Sequence, residues 1–129
     1  MNKVEAKFQI LFKHWLQVHW TGGSAAFELK RTLKDSFYIP NLATHQKTAL
    51  TQASTGMLYH KISDSGIGQK PFDAFVLKAS EAYVVIAFGE KLRDFYLIPI
   101  DVWNKKIINQ TSIKKEDVSK WKDVMYVAI

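Results

Sequence analysis

The sequence predicts a small α+β protein of one domain, with a central mixed sheet flanked by helices. The first twenty residues have helical apolar spacing, and the segments from residue 57 to residue 100 have the alternating or continuous apolar patterns of strands. A chain of 129 residues is long enough for one compact core and too short for two domains. We therefore expect a single domain over residues 1–129, with its core in about 1–103 and a C-terminal appendage in 104–129.

The N-terminal half predicts a helix, a strand and a second helix. Residues 2–20 form the first helix, which Gly22 and Gly23 end, and residues 27–32 form a strand. Residues 34–41 are expected to be a loop, after which Asn41 caps a helix that stops at Gly56. The apolar positions that carry these two helices are Val4, Phe8, Leu11, Phe12, Trp15 and Val18, and then Leu42, Ala43, Ala49, Leu50 and Ala53.

The C-terminal half predicts strands. Residues 57–62 and 71–77 form a hairpin around the glycine-bearing turn 64–68, and the apolar run 82–88 forms a central strand covered on both faces. Residues 95–100 form a further strand, which Asp101 follows as the cap of a short helix. Residues 124–129 could add a strand, and the segment from Ser112 to Ile129 could be a dimer contact, a DNA-contacting arm or a cover for the sheet edge.

The amino-acid composition limits the metal sites and partners that are expected for this chain. The absence of cysteine excludes disulfides and thiolate metal sites, so any metal would be held by oxygen ligands. No apolar run is long enough to span a membrane, and the N-terminus does not resemble a signal peptide, so we expect a cytoplasmic protein without a membrane partner. The net charge of +6 favours a polyanionic partner but is also common in proteins that bind no nucleic acid.

Glu28 and Lys30 are the first candidate site residues. Strand side chains alternate between faces, so these two and Thr32 lie on one face while Phe27 and Leu29 lie on the other. The pair is either an exposed ion pair or the start of a catalytic site.

Three further polar residues stand at otherwise apolar positions. Gln46 lies on the packed stripe of the second helix, where it either bonds to nearby backbone or reaches the strand face of Glu28 and Lys30. Glu5 is either a favourable first-turn carboxylate or an auxiliary metal ligand. Asp73 begins a strand with an apolar stripe, where it needs a cation, a lysine or backbone amides. If Glu28 and Asp73 occupy adjacent strands and face the same way, they form an oxygen site for Mg²⁺, with Lys30 placed to orient or deprotonate an attacking water.

The order of these segments resembles the PD-(D/E)XK nuclease superfamily. The segment Phe27-Glu28-Leu29-Lys30-Arg31-Thr32, the helix with Gln46 and Leu50, the buried strand 83–88 and the segment 95–100 are most similar to RecU-type Holliday junction resolvases. The resemblance covers about residues 25–103. It departs from the superfamily at one point, because residues 20–26 contain no acid where a hairpin normally carries the metal-binding aspartate. Pro71-Phe72-Asp73 resembles a stretched form of the missing motif, which suggests that the hairpin has migrated along the chain.

The resemblance implies a restriction-endonuclease-like fold and a dimeric, Mg²⁺-dependent DNA endonuclease that acts on branched DNA, with Mn²⁺ as an alternative metal. It implies catalytic roles for Glu28, Lys30, Asp73 and Gln46, and metal binding by Asp73, Glu28 and Glu5. From their charge, we expect Arg31, Lys34, Lys47 and Lys70 to contact the DNA phosphates. Two alternatives remain open: a nucleic-acid-binding relative that has lost the aspartate, and an unrelated α+β interaction module.

Overall fold

The computed structural model describes residues 3–55, 57–61, 74–78 and 81–129. Its helices are α1 (Lys3–His19), α2 (Thr44–Thr55), α3 (Ile100–Lys106) and α4 (Lys115–Val118), with a short 3-10 helix at Ile39–Asn41. Its strands are β1 (Ala25–Thr32), β2 (Ser36–Tyr38), β3 (Met57–Lys61), β4 (Ala74–Lys78), β5 (Glu81–Phe88), β6 (Asp94–Pro99), β7 (Ser112–Lys114) and β8 (Met125–Ala128). No helix within these ranges is long and apolar enough to cross a membrane.

The main sheet has four strands in the order β1-β5-β6-β8. β1 runs parallel to β5, whereas β6 is antiparallel to both β5 and β8, so the predicted mixed sheet is confirmed. Parallel neighbours need a crossover connection, which here includes α2. The apolar run of β5 is buried as predicted, since Val84, Val85 and Ile86 are each 0% exposed.

Helices cover both faces of this sheet. Phe8 and Phe12 of α1 pack on one face against Phe27, Leu29 and Val85. The opposite face carries Val84 and Ile86, and packs against Leu50 of α2 and Trp103 of α3. Because neighbouring residues of β1 point to opposite faces, Glu28 and Lys30 lie on the α2 side.

Element boundaries differ from the sequence prediction at three places. The segment predicted as a loop contains β2, which pairs with β7 about seventy-five residues later in the chain. Asn41 belongs to the 3-10 helix and does not cap α2, which begins at Thr44. Asp101 lies inside the first turn of α3 instead of capping it, because the helix already begins at Ile100 after Pro99. The pairing of β2 with β7 depends on residues far away in the chain, so the sequence around β2 does not predict it.

The segment 104–129 is part of the core. Ile113 and Val118 are 1% and 0% exposed and join the cluster that contains Trp103, so the predicted boundary near residue 103 does not separate core from appendage. The expected C-terminal strand is confirmed as β8. It pairs with β6 and so covers that edge of β6, which is one of the three expected roles of the C-terminal segment.

Candidate functional site

Glu28 and Lys30 form an ion pair on the middle of β1. The Lys30 Nζ lies 3.7 Å from the Glu28 Oε1, and the two side chains are 13% and 30% exposed, respectively. The pair is therefore partly removed from solvent, in contrast to the exposed surface pair considered as one interpretation of the sequence. Partial burial strengthens the interaction because water screens it less.

Gln46 joins this pair from α2 through two hydrogen bonds. Its Nε2 donates to the Glu28 Oε1 over 2.7 Å, and its Oε1 accepts the backbone N–H of Ala43 over 3.0 Å. The second bond belongs to a capping box, in which the third residue of a helix satisfies the backbone N–H of the cap. The Ala43 carbonyl in turn accepts the Lys47 N–H, which marks Ala43 as the cap. Gln46 therefore both bonds to nearby backbone and reaches the strand face of Glu28 and Lys30, which were the two interpretations of its sequence position.

The two bonds fix the orientation of the Gln46 amide. Since its oxygen is occupied by a backbone donor, the amide must present its nitrogen to the carboxylate. Among the described residues, both contacts of Glu28 involve Oε1. The start of α2 thereby holds one carboxylate oxygen of the Glu28 side chain in place.

Replacing Gln46 with alanine is expected to lower the free energy of unfolding by about 1–2 kcal/mol, because it removes a helix cap and a hydrogen bond to a charged group. Urea denaturation of the purified variant would measure the loss. Gln52→Ala is the matched control, because Gln52 lies exposed in the same helix. Equal stability of the two variants would show that the Gln46 bonds contribute nothing.

Thr32 shares the strand face of Glu28 and Lys30 but has a local role. Its Oγ1 donates to the Ser36 carbonyl and accepts the Lys34 N–H. These bonds close the turn between β1 and β2, so Thr32 stabilises the end of the strand that carries the site.

The other predicted metal ligands are not brought to Glu28 by the described residues. Glu5 belongs to α1, which packs on the opposite face of the sheet. Asp73 lies outside the described residues. It precedes β4, which pairs with β3 in a separate two-stranded sheet, whereas the described neighbour of β1 is β5. Among the described strands, β4, which follows Asp73, is therefore not a neighbour of β1.

The predicted DNA contacts fall into two groups. Lys34 is exposed just after β1, and Lys47 is half-buried beside Gln46, so both lie near the site along the chain. Arg31 points to the α1 side, where its Nη2 donates to the carbonyls of Gly89 and Glu90 over 3.4 and 3.0 Å. Arg31 thus stabilises the turn after β5 through these hydrogen bonds. Lys70 lies outside the described residues.

Sequence reasoning missed a second polar cluster around Asp94. Asp94 is only 8% exposed, and its carboxylate accepts hydrogen bonds from the Tyr126 hydroxyl over 2.9 Å and from the Lys115 ammonium over 3.2 Å. The hydrogen bond to Asp94 raises the pKa of Tyr126, since ionisation would bring two negative charges together. The three residues come from β6, α4 and β8, so no spacing in the sequence points to the cluster.

The described residues contain no group of three histidines or acids that could hold a metal ion. Comparison of the chain with protein-family models, with curated proteins and with solved structures found no match. The convergence of Glu28, Lys30 and Gln46 is therefore the main observation that bears on function.

Proposed function

We propose that this chain is a Mg²⁺-dependent DNA endonuclease with a restriction-endonuclease-like fold, acting on branched DNA in the manner of RecU-type resolvases. The observation that carries the proposal is the Glu28–Lys30–Gln46 constellation. A carboxylate and a lysine two residues apart on a strand meet a glutamine from the next helix, in the order that the sequence resemblance implies. The elements β1, α2 and the buried strand β5, which is parallel to β1, also occur along the chain in the order that the resemblance implies.

Each residue of the constellation has a defined role in the proposed reaction. Glu28 offers an oriented carboxylate, and the Gln46 amide keeps that orientation. The Lys30 side chain, 13% exposed, places an ammonium beside the carboxylate, where it can orient the attacking water or contact the scissile phosphate. Positioned cationic donors of this kind stabilise the charge that develops on phosphate oxygens during hydrolysis.

The donor set fits magnesium in its chemistry. Mg²⁺ prefers oxygen ligands, retains several waters and often takes only one or two protein carboxylates in phosphate chemistry. Glu28 would supply one carboxylate through Oε2, and Asp73 is the proposed second ligand. When bound, the cation would neutralise the phosphate and lower the pKa of its water. Mn²⁺ accepts the same oxygen ligands.

Charge supports DNA as the substrate. The chain carries a net charge of +6, and the lysines near the site along the chain, Lys34 and Lys47, are suited to phosphate contacts. Such contacts position a nucleic acid without reading its sequence, which agrees with a substrate chosen by shape.

The proposal is tested by incubating the purified chain with a four-way DNA junction, with and without Mg²⁺. We expect nicking that requires the metal, is lost in Asp73→Ala and is unchanged in Asp35→Ala, a matched exposed aspartate. Junction affinity should persist in Asp73→Ala and fall steeply with salt, because phosphate binding releases counterions. Cleavage by Asp73→Ala at the wild-type rate would refute the metal site.

A DNA-binding protein without nuclease activity is the second candidate. The observation that favours it is the single carboxylate that the described part of the site contributes. Salt-dependent binding of the junction without cleavage in either Mg²⁺ or Mn²⁺ would establish this alternative.

A further inference from the structure

β8 forms one edge of the main sheet, and its outward backbone groups can be identified. The Ile129 N–H donates to the Arg93 carbonyl over 2.7 Å, which makes this pair a hydrogen-bonded pair of the antiparallel ladder with β6. Hydrogen-bonded pairs alternate along such a ladder. Met125 and Val127 therefore direct their backbone groups to β6, while Tyr126 and Ala128 direct theirs away from the sheet. Among the described strands, β6 is the sole partner of β8.

The composition of this edge favours pairing with another strand. Residues 124–129, Val-Met-Tyr-Val-Ala-Ile, contain no charge, no proline and no glycine. Met125, Tyr126 and Ile129 are 46%, 54% and 57% exposed. Native proteins usually protect an exposed edge with charged residues, proline or a bulge, and an unprotected apolar edge pairs readily with a further strand.

The opposite edge of the described sheet is protected. β1 carries Glu28, Lys30 and Arg31 within its eight residues, so it offers an incoming apolar strand a charged surface. Pairing of β8 with β1 of another molecule would also be head-to-tail, and such a contact builds a ring or an open filament instead of a pair of copies. An identical, uncharged strand is a better partner for β8 than β1 is. Each copy has a net charge of +6, so two copies repel each other least when they meet at a surface without charged residues, such as residues 124–129.

Contacts within the molecule position Tyr126 of β8 before any partner binds. The Tyr126 hydroxyl is tied to the buried Asp94, which Lys115 also contacts. The Tyr126 ring lies against Tyr96, with 5.1 Å between ring centroids. A strand that is already ordered loses little conformational entropy on association.

We propose that β8 pairs antiparallel with β8 of a second copy of this chain, around a two-fold axis at Val127, to form a homodimer. This register sets the outward residues Tyr126 and Ala128 of one copy opposite Ala128 and Tyr126 of the other, which forms four backbone hydrogen bonds. It also sets Met125 opposite Ile129 of the second copy, so exposed apolar side chains cover each other. The interface is isologous and closes after two copies.

The dimer is reversible because the contact is small. A four-residue strand buries less than the roughly 800 Å² per partner of a standard stable interface, so we expect a dissociation constant in the micromolar range. The two-fold axis is perpendicular to the sheet, so both Glu28 side chains lie on the same face of one eight-stranded sheet. Seven strand spacings separate the two β1 strands, about 34 Å before sheet twist. This inference does not depend on nuclease activity.

Sedimentation equilibrium of the full chain between about 1 and 300 µM tests the proposal. We expect a monomer–dimer equilibrium that Met125→Lys and Ala128→Pro each weaken at least tenfold, the first by placing like charges in the interface and the second by removing an outward N–H. Ile10→Lys is the matched control, because Ile10 is 73% exposed on α1 and should leave association within about twofold. Circular dichroism would verify that each variant is folded.

Hydrogen exchange of the unmodified chain gives an independent test. Exchange of the Tyr126 and Ala128 amides should slow as protein concentration rises, whereas the inward Val127 amide should change little. A wild-type monomer at 300 µM, dimers that both β8 variants retain, or oligomers that grow beyond two copies would each overturn the proposal, as would exchange at Tyr126 and Ala128 that is independent of concentration.

Discussion

Replacing Lys30 with alanine is expected to lower the rate of Mg²⁺-dependent cleavage of a four-way junction at least about 100-fold, with junction affinity within about threefold of wild type. The ammonium is 3.7 Å from the Glu28 carboxylate and belongs to a side chain only 13% exposed. It therefore has little access to bind DNA nonspecifically, and its main contribution would be to the attacking water and the transition state. Single-turnover cleavage rates and a separate binding titration would distinguish these contributions.

Two further variants sharpen this test. Glu28→Gln keeps the shape of the side chain but removes its charge, so cleavage should fall by a similar factor and Mg²⁺ binding should weaken. Lys105→Ala removes an exposed lysine in the last turn of α3 and should cleave normally. If Lys30→Ala and Lys105→Ala cleave equally well, the Glu28–Lys30 contact is a structural ion pair and the proposed catalytic role of Lys30 is wrong.

Replacing Trp103 with alanine is expected to lower the free energy of unfolding by about 3–5 kcal/mol, the cost typical of a large buried aromatic side chain. Trp103 is 0% exposed and packs against Phe37, with 6.0 Å between ring centroids. Its loss would leave a cavity between α3 and the sheet face that carries Glu28. Total stability of a domain is about 5–15 kcal/mol, so the change would remove a large share of it.

The Trp103→Phe variant separates packing from hydrogen bonding. Within the described part of the chain, the buried Trp103 Nε1 has no hydrogen-bond partner, and an unpaired buried donor carries a desolvation cost. Phenylalanine removes this donor while keeping one aromatic ring, so its destabilisation should be less than half that of alanine. Chemical denaturation of both variants measures the difference, and equal losses would contradict the account.

Residue order alone was enough to predict the elements whose patterns are long and regular. The helical spacing of residues 2–20 predicted α1, and the apolar run 82–88 predicted the buried central strand β5. Alternation along β1 was enough to place Glu28 and Lys30 on one face. Gln46 was identified as a polar residue on a packed stripe, which raised the question of its partner without answering it.

Other features depend on contacts between residues far apart in the sequence. The pairing of β2 with β7 converts a predicted loop into a strand. The Asp94 cluster requires β6, α4 and β8 to meet. Among the described strands, β3 and β4 form a sheet of their own, and β1 pairs with β5. The sequence pattern of each strand does not specify which other strand it pairs with.

The sequence by itself determined the α+β class, the main helices and strands, and the shared face of Glu28 and Lys30, because periodicity is a property of neighbouring residues. Only the tertiary structure decided that Gln46 spans from the Ala43 cap to the Glu28 carboxylate, and that β8 ends the sheet with an uncharged edge. Both depend on how α2 and the C-terminal segment pack on the sheet. The free energy of that packing comes from the whole core, whose contacting residues are distant in sequence.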